Sequence, residues 1–136
     1  MLKKIKEIGI VIIIISAFAC CDSEKPIGLW DDNIKLSQKK VQFSSEKNSI
    51  VINTKGKWWW IHEVSLNGNS NFDLNKIDTN ANNFIIKETE FKIERKNTTE
   101  IHIEMTKNKT NYERILFIGL EAGNYFDGIK ITQAKN

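Results

Sequence analysis

The sequence predicts an all-β protein, an antiparallel β-sandwich of about seven short strands behind an N-terminal export signal. Three observations carry that prediction. No stretch of the mature chain repeats apolar residues at helical spacing over three turns. Short runs alternate apolar and polar residues instead, broken by clusters of Asn, Gly, Ser and Lys, which is the period of half-buried strands. The only cysteines, Cys20 and Cys21, stand at the end of the export signal, so the domain has no internal disulfide and depends on its apolar core.

The export signal comes first. Lys3, Lys4 and Lys6 precede an apolar run from Ile8 to Ala19. That run is too short for a membrane span, which needs roughly 20 residues, and it ends at a small residue as a secretory signal does. Ala17-Phe18-Ala19-Cys20-Cys21 resembles a bacterial lipobox, in which the cysteine thiol is lipidated and becomes the mature N-terminus. Ala19 makes Cys20 the lipidation candidate, with Cys21 as the alternative. Asp22-Ser23-Glu24 resembles the surface-export signal of Bacteroidetes lipoproteins, which implies an outer-membrane lipoprotein exposed on the cell surface. Residues 1–19 are then the signal peptide, 20–33 a lipidated tether and 34–136 one domain. Trp30 in the tether is expected to pack back on the domain.

The leader carries three of the 20 Lys+Arg and one of the 17 Asp+Glu, so the mature net charge is near +1. No clustered basic face remains, and nucleic acid is excluded as a partner.

In order along the domain, Ile34/Leu36 and Val41/Phe43 form a first strand with a shift of parity between them. Ile50 and Ile52 face inward on a second. The tryptophan strand runs from Trp58 to about Leu66, and Asn67-Gly68-Asn69 turns it. Within it, Trp60 shares parity with Val64 and Leu66, while Trp59 continues through Ile61 to Glu63 and Ser65. Regular alternation therefore places Trp60 in the core and Trp59 on the outer face. Residues 69–83 are Asn-rich and irregular, with Phe72, Leu74 and Ile77 as anchors and the character of a binding loop. Phe84–Ile86 and Phe91–Ile93 give two short strands or one bent one. Ile101, Ile103 and Met105 alternate with Glu100, His102 and Glu104. Arg114–Leu120, apolar on both parities, reads as a central strand, and Ile129 and Ile131 face inward on the last.

The C-terminal third carries a family resemblance. Glu113-Arg114-Ile115-Leu116-Phe117-Ile118, a glycine turn, and Ile129-Lys130-Ile131-Thr132-Gln133 resemble the ending of BACON domains, with Arg114 opening the penultimate strand and Thr132-Gln133 closing the last. The opening strands, Ile34-Lys35-Leu36-Ser37 through Phe43 and Ile50-Val51-Ile52, and the tryptophan strand fit the same pattern, so the resemblance covers about Asn33 to Gln133. Three adjacent tryptophans and the Asn-rich insertion depart from it. The resemblance implies an immunoglobulin-like sandwich common in Bacteroidetes surface proteins and an association with carbohydrate. Fold alone does not settle function.

Catalytic and metal signatures are sparse. There is no Gly-x-Ser-x-Gly, P-loop or His-Glu-x-x-His motif. His102 reads as a surface residue and His62 as a structural one at the end of a core strand. Asp73, Asn75 and Asp78 lack EF-hand spacing, so no metal or other cofactor is expected, and neither is enzymatic activity. The expected function is a non-catalytic glycan-binding module. Trp58, Trp59 and Tyr125 are the candidate sugar-stacking residues and Asn124 a polar rim, because indole and phenol faces suit the apolar faces of sugar rings. The alternative is a spacer or a protein-interaction subunit of a surface complex. The expected partners are the membrane, through the N-terminal lipid, and a polysaccharide or a surface protein.

Overall fold

The structure, a computed structural model, describes residues 30–136. The signal peptide, Cys20 and most of the tether lie outside the described residues. Among the described residues eight strands build a sandwich of two four-stranded sheets. They are β1 (Lys40–Phe43), β2 (Asn48–Asn53), β3 (Trp60–Leu66), β4 (Phe84–Lys87), β5 (Phe91–Lys96), β6 (Glu100–Met105), β7 (Arg114–Ala122) and β8 (Tyr125–Gln133). One sheet has the order β1-β8-β7-β3 and the other β2-β6-β5-β4. The sandwich is thus as predicted, with one strand more, and with one pairing that is not antiparallel: β1 runs parallel to β8.

Alternation explains the core. Ile101, Ile103 and Met105 point inward from β6, Ile129 and Ile131 from β8, and Leu116, Ile118 and Leu120 from β7, all at 1% exposure or less. Phe72, Leu74, Ile77 and Ala81 anchor the irregular 67–83 segment against this core. That segment contains a 3-10 turn at Leu74–Lys76. The first predicted strand is divided. Ile34 is fully buried and Leu36 makes a single bridge to Thr54, whereas Val41 and Phe43 belong to β1 in the other sheet.

The two ends of the sandwich differ. At one end, Gln133 is fully buried and donates from Nε2 to the carbonyls of Glu46 and Thr106, at 3.0 and 2.9 Å. Arg114 donates to the Thr106 carbonyl at 3.2 Å. The residues that carry the family resemblance therefore staple this end. The chain enters the domain at the other end. There the backbone N–H groups of Lys55 and Gly56 donate to the Ile34 carbonyl at 3.1 and 3.0 Å. A Cβ on Gly56 would lie 1.9 Å from the Asn33 carbonyl oxygen, so only glycine allows this approach. Asp32 caps the turn by accepting from the N–H groups of Ile34 and Lys35. Trp30 is 58% exposed rather than folded onto the domain as a lid.

Candidate binding cleft

The β2–β3 connection, the β5–β6 turn and the β7–β8 turn meet at the end where the chain enters. The tryptophan row lies here, and its faces are the reverse of those expected. Trp59 is 2% exposed and Trp58 is 91% exposed, while Trp60 is half-buried. The cause is a β-bulge. Ile61 pairs with Leu120 and Glu63 with Gly119, so His62 is an extra residue with no partner of its own. Parity therefore changes at His62. Trp59 and Ile61 point inward before the bulge and Val64 after it, while Trp58, Trp60 and His62 stay on the outside. Trp58 itself precedes the strand, in a bend. Trp59 is thus not a candidate for stacking on a ligand, His62 is an exposed side chain rather than a core one, and the available indoles are Trp58 and Trp60.

The core position of Trp59 rests on a residue that sequence reading passed over. Its indole N–H donates to Thr54 Oγ1 and to the Gly56 carbonyl, at 3.0 and 3.1 Å. The guanidinium of Arg95 lies over its ring, 3.7 Å from the centroid. Arg95 is 1% exposed, and burial pulls its pKa below the usual guanidinium range. Its hydrogen-bond partners are carbonyl oxygens: Thr98 from Nε at 2.9 Å, Trp59 and Ala81 from one terminal nitrogen at 2.9 and 3.2 Å, and Lys57 from the other at 2.8 Å. A longer bond reaches Asn80 at 3.4 Å. Backbone dipoles from three segments thus solvate one buried cation and hold those segments together. The signal was in the sequence, since Arg95 continues the inward parity of Phe91 and Ile93.

The same three segments wall a cleft of about 480 Å³ lined by Lys57, Trp58, Trp59, Trp60, Asn80, Asn82, Thr98 and Gly123. Thr98 has φ of 69°, a left-handed conformation uncommon for a β-branched residue and costing about 1–3 kcal/mol. Its N–H donates to the Asn82 carbonyl and its own carbonyl accepts from Arg95, which offsets that strain. The result is an aromatic wall facing two carboxamides and a hydroxyl, held on a braced frame.

The other two predicted residues do not join it. Gly123 lines the cleft, but Asn124 is an exposed turn residue and is not among the lining groups. Tyr125 sits opposite Ala122 on the inward parity and is half-buried against the core. Its hydroxyl donates to Asp127 at 3.0 Å, and Lys39 pairs with the same carboxylate at 2.7 Å. Tyr125 is a packing residue with its polar end already satisfied.

Two further features resolve simply. The Asp73 and Asp78 carboxylates accept the N–H groups of Asn75 and Asn80, two residues on, as turn-forming aspartates do. No group of three or more metal-ligating side chains occurs among the described residues. A hollow of about 330 Å³ on the outer face of the other sheet is lined by charges in complementary cross-strand register, Lys92 with Glu104 and Glu94 with His102. It has no aromatic wall.

No protein-family model and no curated protein matches the chain. A solved structure, an NMR structure of a protein from Bacteroides thetaiotaomicron, is similar over 79% of this chain and 92% of its own, with a TM-score of 0.61 and 23% identity. That likeness supports the sandwich fold and carries no function with it.

Proposed function

We propose that this chain is a surface-anchored lipoprotein whose BACON-like sandwich binds glycan, without catalysis, in the cleft between Trp58 and Trp60. The observation that carries the reading is the exposure of Trp58, 91%, at the mouth of a cleft whose other walls are amide and hydroxyl groups. An indole held in water contributes nothing to the core, and it offers a flat apolar face to a sugar ring. Asn80, Asn82 and Thr98 supply donors and acceptors for the ring hydroxyls.

The test is a glycan array with the purified mature chain, followed by titration of any hit while tryptophan fluorescence is read. Binding that Trp58→Ala removes without changing the melting temperature supports the reading. A blank array refutes it and favours the protein-interaction or spacer role. The anchor is tested separately. A fatty-acid analogue fed to expressing cells labels the wild type and spares Cys20→Ala; label lost only in Cys21→Ala moves the site by one residue.

A further inference from the structure

We infer that the Trp58 cleft is one end of a longer track for a linear, uncharged oligosaccharide, continued along β3 to a second hollow beyond His62. This deepens the glycan reading above and rests on it. The second hollow, about 410 Å³, is lined by His62, Glu63, Val64, Ser70, Phe72, Leu74 and Asn75. It lies between β3 and the start of the irregular 67–83 segment. Because β3 is the last strand of its sheet, no further strand closes that side.

The bulge makes the two hollows collinear. It leaves Trp58, Trp60 and His62 on the outer face in succession. Trp60 and His62 are two residues apart, a rise of roughly 7 Å along a strand, so ring faces recur at regular steps from one hollow to the other.

His62 is exposed yet held. A Cβ on Gly119 would lie 2.6 Å from its Nε2, so the imidazole occupies the space that glycine leaves. The ring of Phe126 meets it edge to face at 5.4 Å and 88°. Filling Gly119 explains why the ring lies down on the sheet. It does not explain the Ser70 and Asn75 side chains beside it in a second hollow. A ring fixed in advance loses little rotamer freedom when a ligand stacks on it.

The polar lining selects the ligand class. Asn80, Asn82 and Thr98 in the first hollow and Ser70 and Asn75 in the second are neutral donors and acceptors. The charged side chains, Lys57 at one end and Glu63 at the other, are of opposite sign. A chain of neutral sugars matches that pattern; a sulfated or uronic-acid chain meets Glu63 with like charge.

The experiment is isothermal titration of the mature chain with linear gluco-, xylo- and manno-oligosaccharides, from disaccharide to hexasaccharide. In at least one series affinity rises about tenfold or more with length. His62→Ala and Asn75→Ala each remove most of that rise and leave disaccharide affinity within about twofold of wild type. Trp58→Ala weakens binding at every length. A flat length dependence in the wild type, or a rise that both distal variants preserve, overturns the track and leaves the Trp58 cleft standing. A wild type that binds none of these series overturns the cleft reading and the track with it.

Discussion

Arg95→Ala tests the account of the tryptophan row most directly. The guanidinium makes four hydrogen bonds of 2.8 to 3.2 Å to carbonyl oxygens and stacks on Trp59. Hydrogen bonds to a charged group contribute about 1.5–3 kcal/mol each, and a desolvated cation–π contact about 2 kcal/mol. Their sum would rival the whole stability of a small domain, about 5–15 kcal/mol. The opposing term is removal of the cation from water, several kcal/mol. Truncating one member of a buried charged assembly has a net cost of about 3–5 kcal/mol. At about 4 °C per kcal/mol for a domain of this size, Arg95→Ala should melt about 12–20 °C below wild type by circular dichroism, with a matching fall in urea midpoint. Arg95→Lys keeps the charge but presents a point donor in place of a planar fork, and should recover less than half of the loss. It should also weaken any ligand of the cleft, because the Lys57, Ala81 and Thr98 carbonyls lose their common brace. Arg95→Ala within about 1 kcal/mol of wild type would refute the bracing role, as would Arg95→Lys indistinguishable from wild type.

The remaining predictions are separable from that one. Trp59→Ala should destabilise by about 3–5 kcal/mol in chemical denaturation, and Trp58→Ala by no more than about 0.5 kcal/mol; the opposite order would restore the outward face to Trp59. Ile131→Ala should cost about 2–5 kcal/mol and Lys130→Ala within about 0.5 kcal/mol of nothing, and equal effects would show that the parity of β8 is wrong. Gly128→Ala should cost about 1–3 kcal/mol by overpacking, since its new methyl would lie 2.6 Å from the Phe117 ring, and Phe117→Leu in the same chain should relieve part of that. The Lys39–Asp127–Tyr125 cluster predicts an alkaline limit. The hydrogen bond to Asp127 raises Lys39 above 10.5, and burial, then the same carboxylate, raises Tyr125 above 10.0. Groups raised in the folded state stabilise fully below their ordinary values and lose that contribution as pH climbs through the folded ones. The urea midpoint should therefore hold to about pH 10 and then fall, and Asp127→Asn should flatten the fall.

The fold was largely legible because its signal is a period, and Glu100–Met105 and Ile129–Ile131 keep theirs without interruption. The site was legible as a place but not as an orientation. Trp58-Trp59-Trp60 announced itself, yet a single bulged residue reverses which indoles face out, and His62 has none of the glycine or turn chemistry that marks a bulge in sequence. Parity was carried backward from Val64 and Leu66 across that defect, so the error followed from assuming a regular strand. Arg95 was missed for a different reason. A cation on an inward parity reads as an exception to be ignored, and the carbonyls that make it tolerable come from residues 57, 59, 81 and 98, which only the folded chain brings together. Tyr125 failed as a platform because Asp127, two residues on, already takes its hydroxyl.

The parallel pairing of β1 with β8 has a mechanical consequence. The strands are joined over four residue pairs, from Lys40 with Lys130 to Phe43 with Gln133. Tension on the chain ahead of Lys40, with the body held at its far end, pulls β1 lengthwise against β8. The rungs of the ladder are then loaded together in shear, and β1 cannot be peeled off one hydrogen bond at a time. The Ile34 carbonyl, clasped by Lys55 and Gly56, and the Asp32 cap meet the load before the ladder does. A domain hung by its leading segment in a flowing medium would resist extraction through that geometry, with small gain from the size of its core.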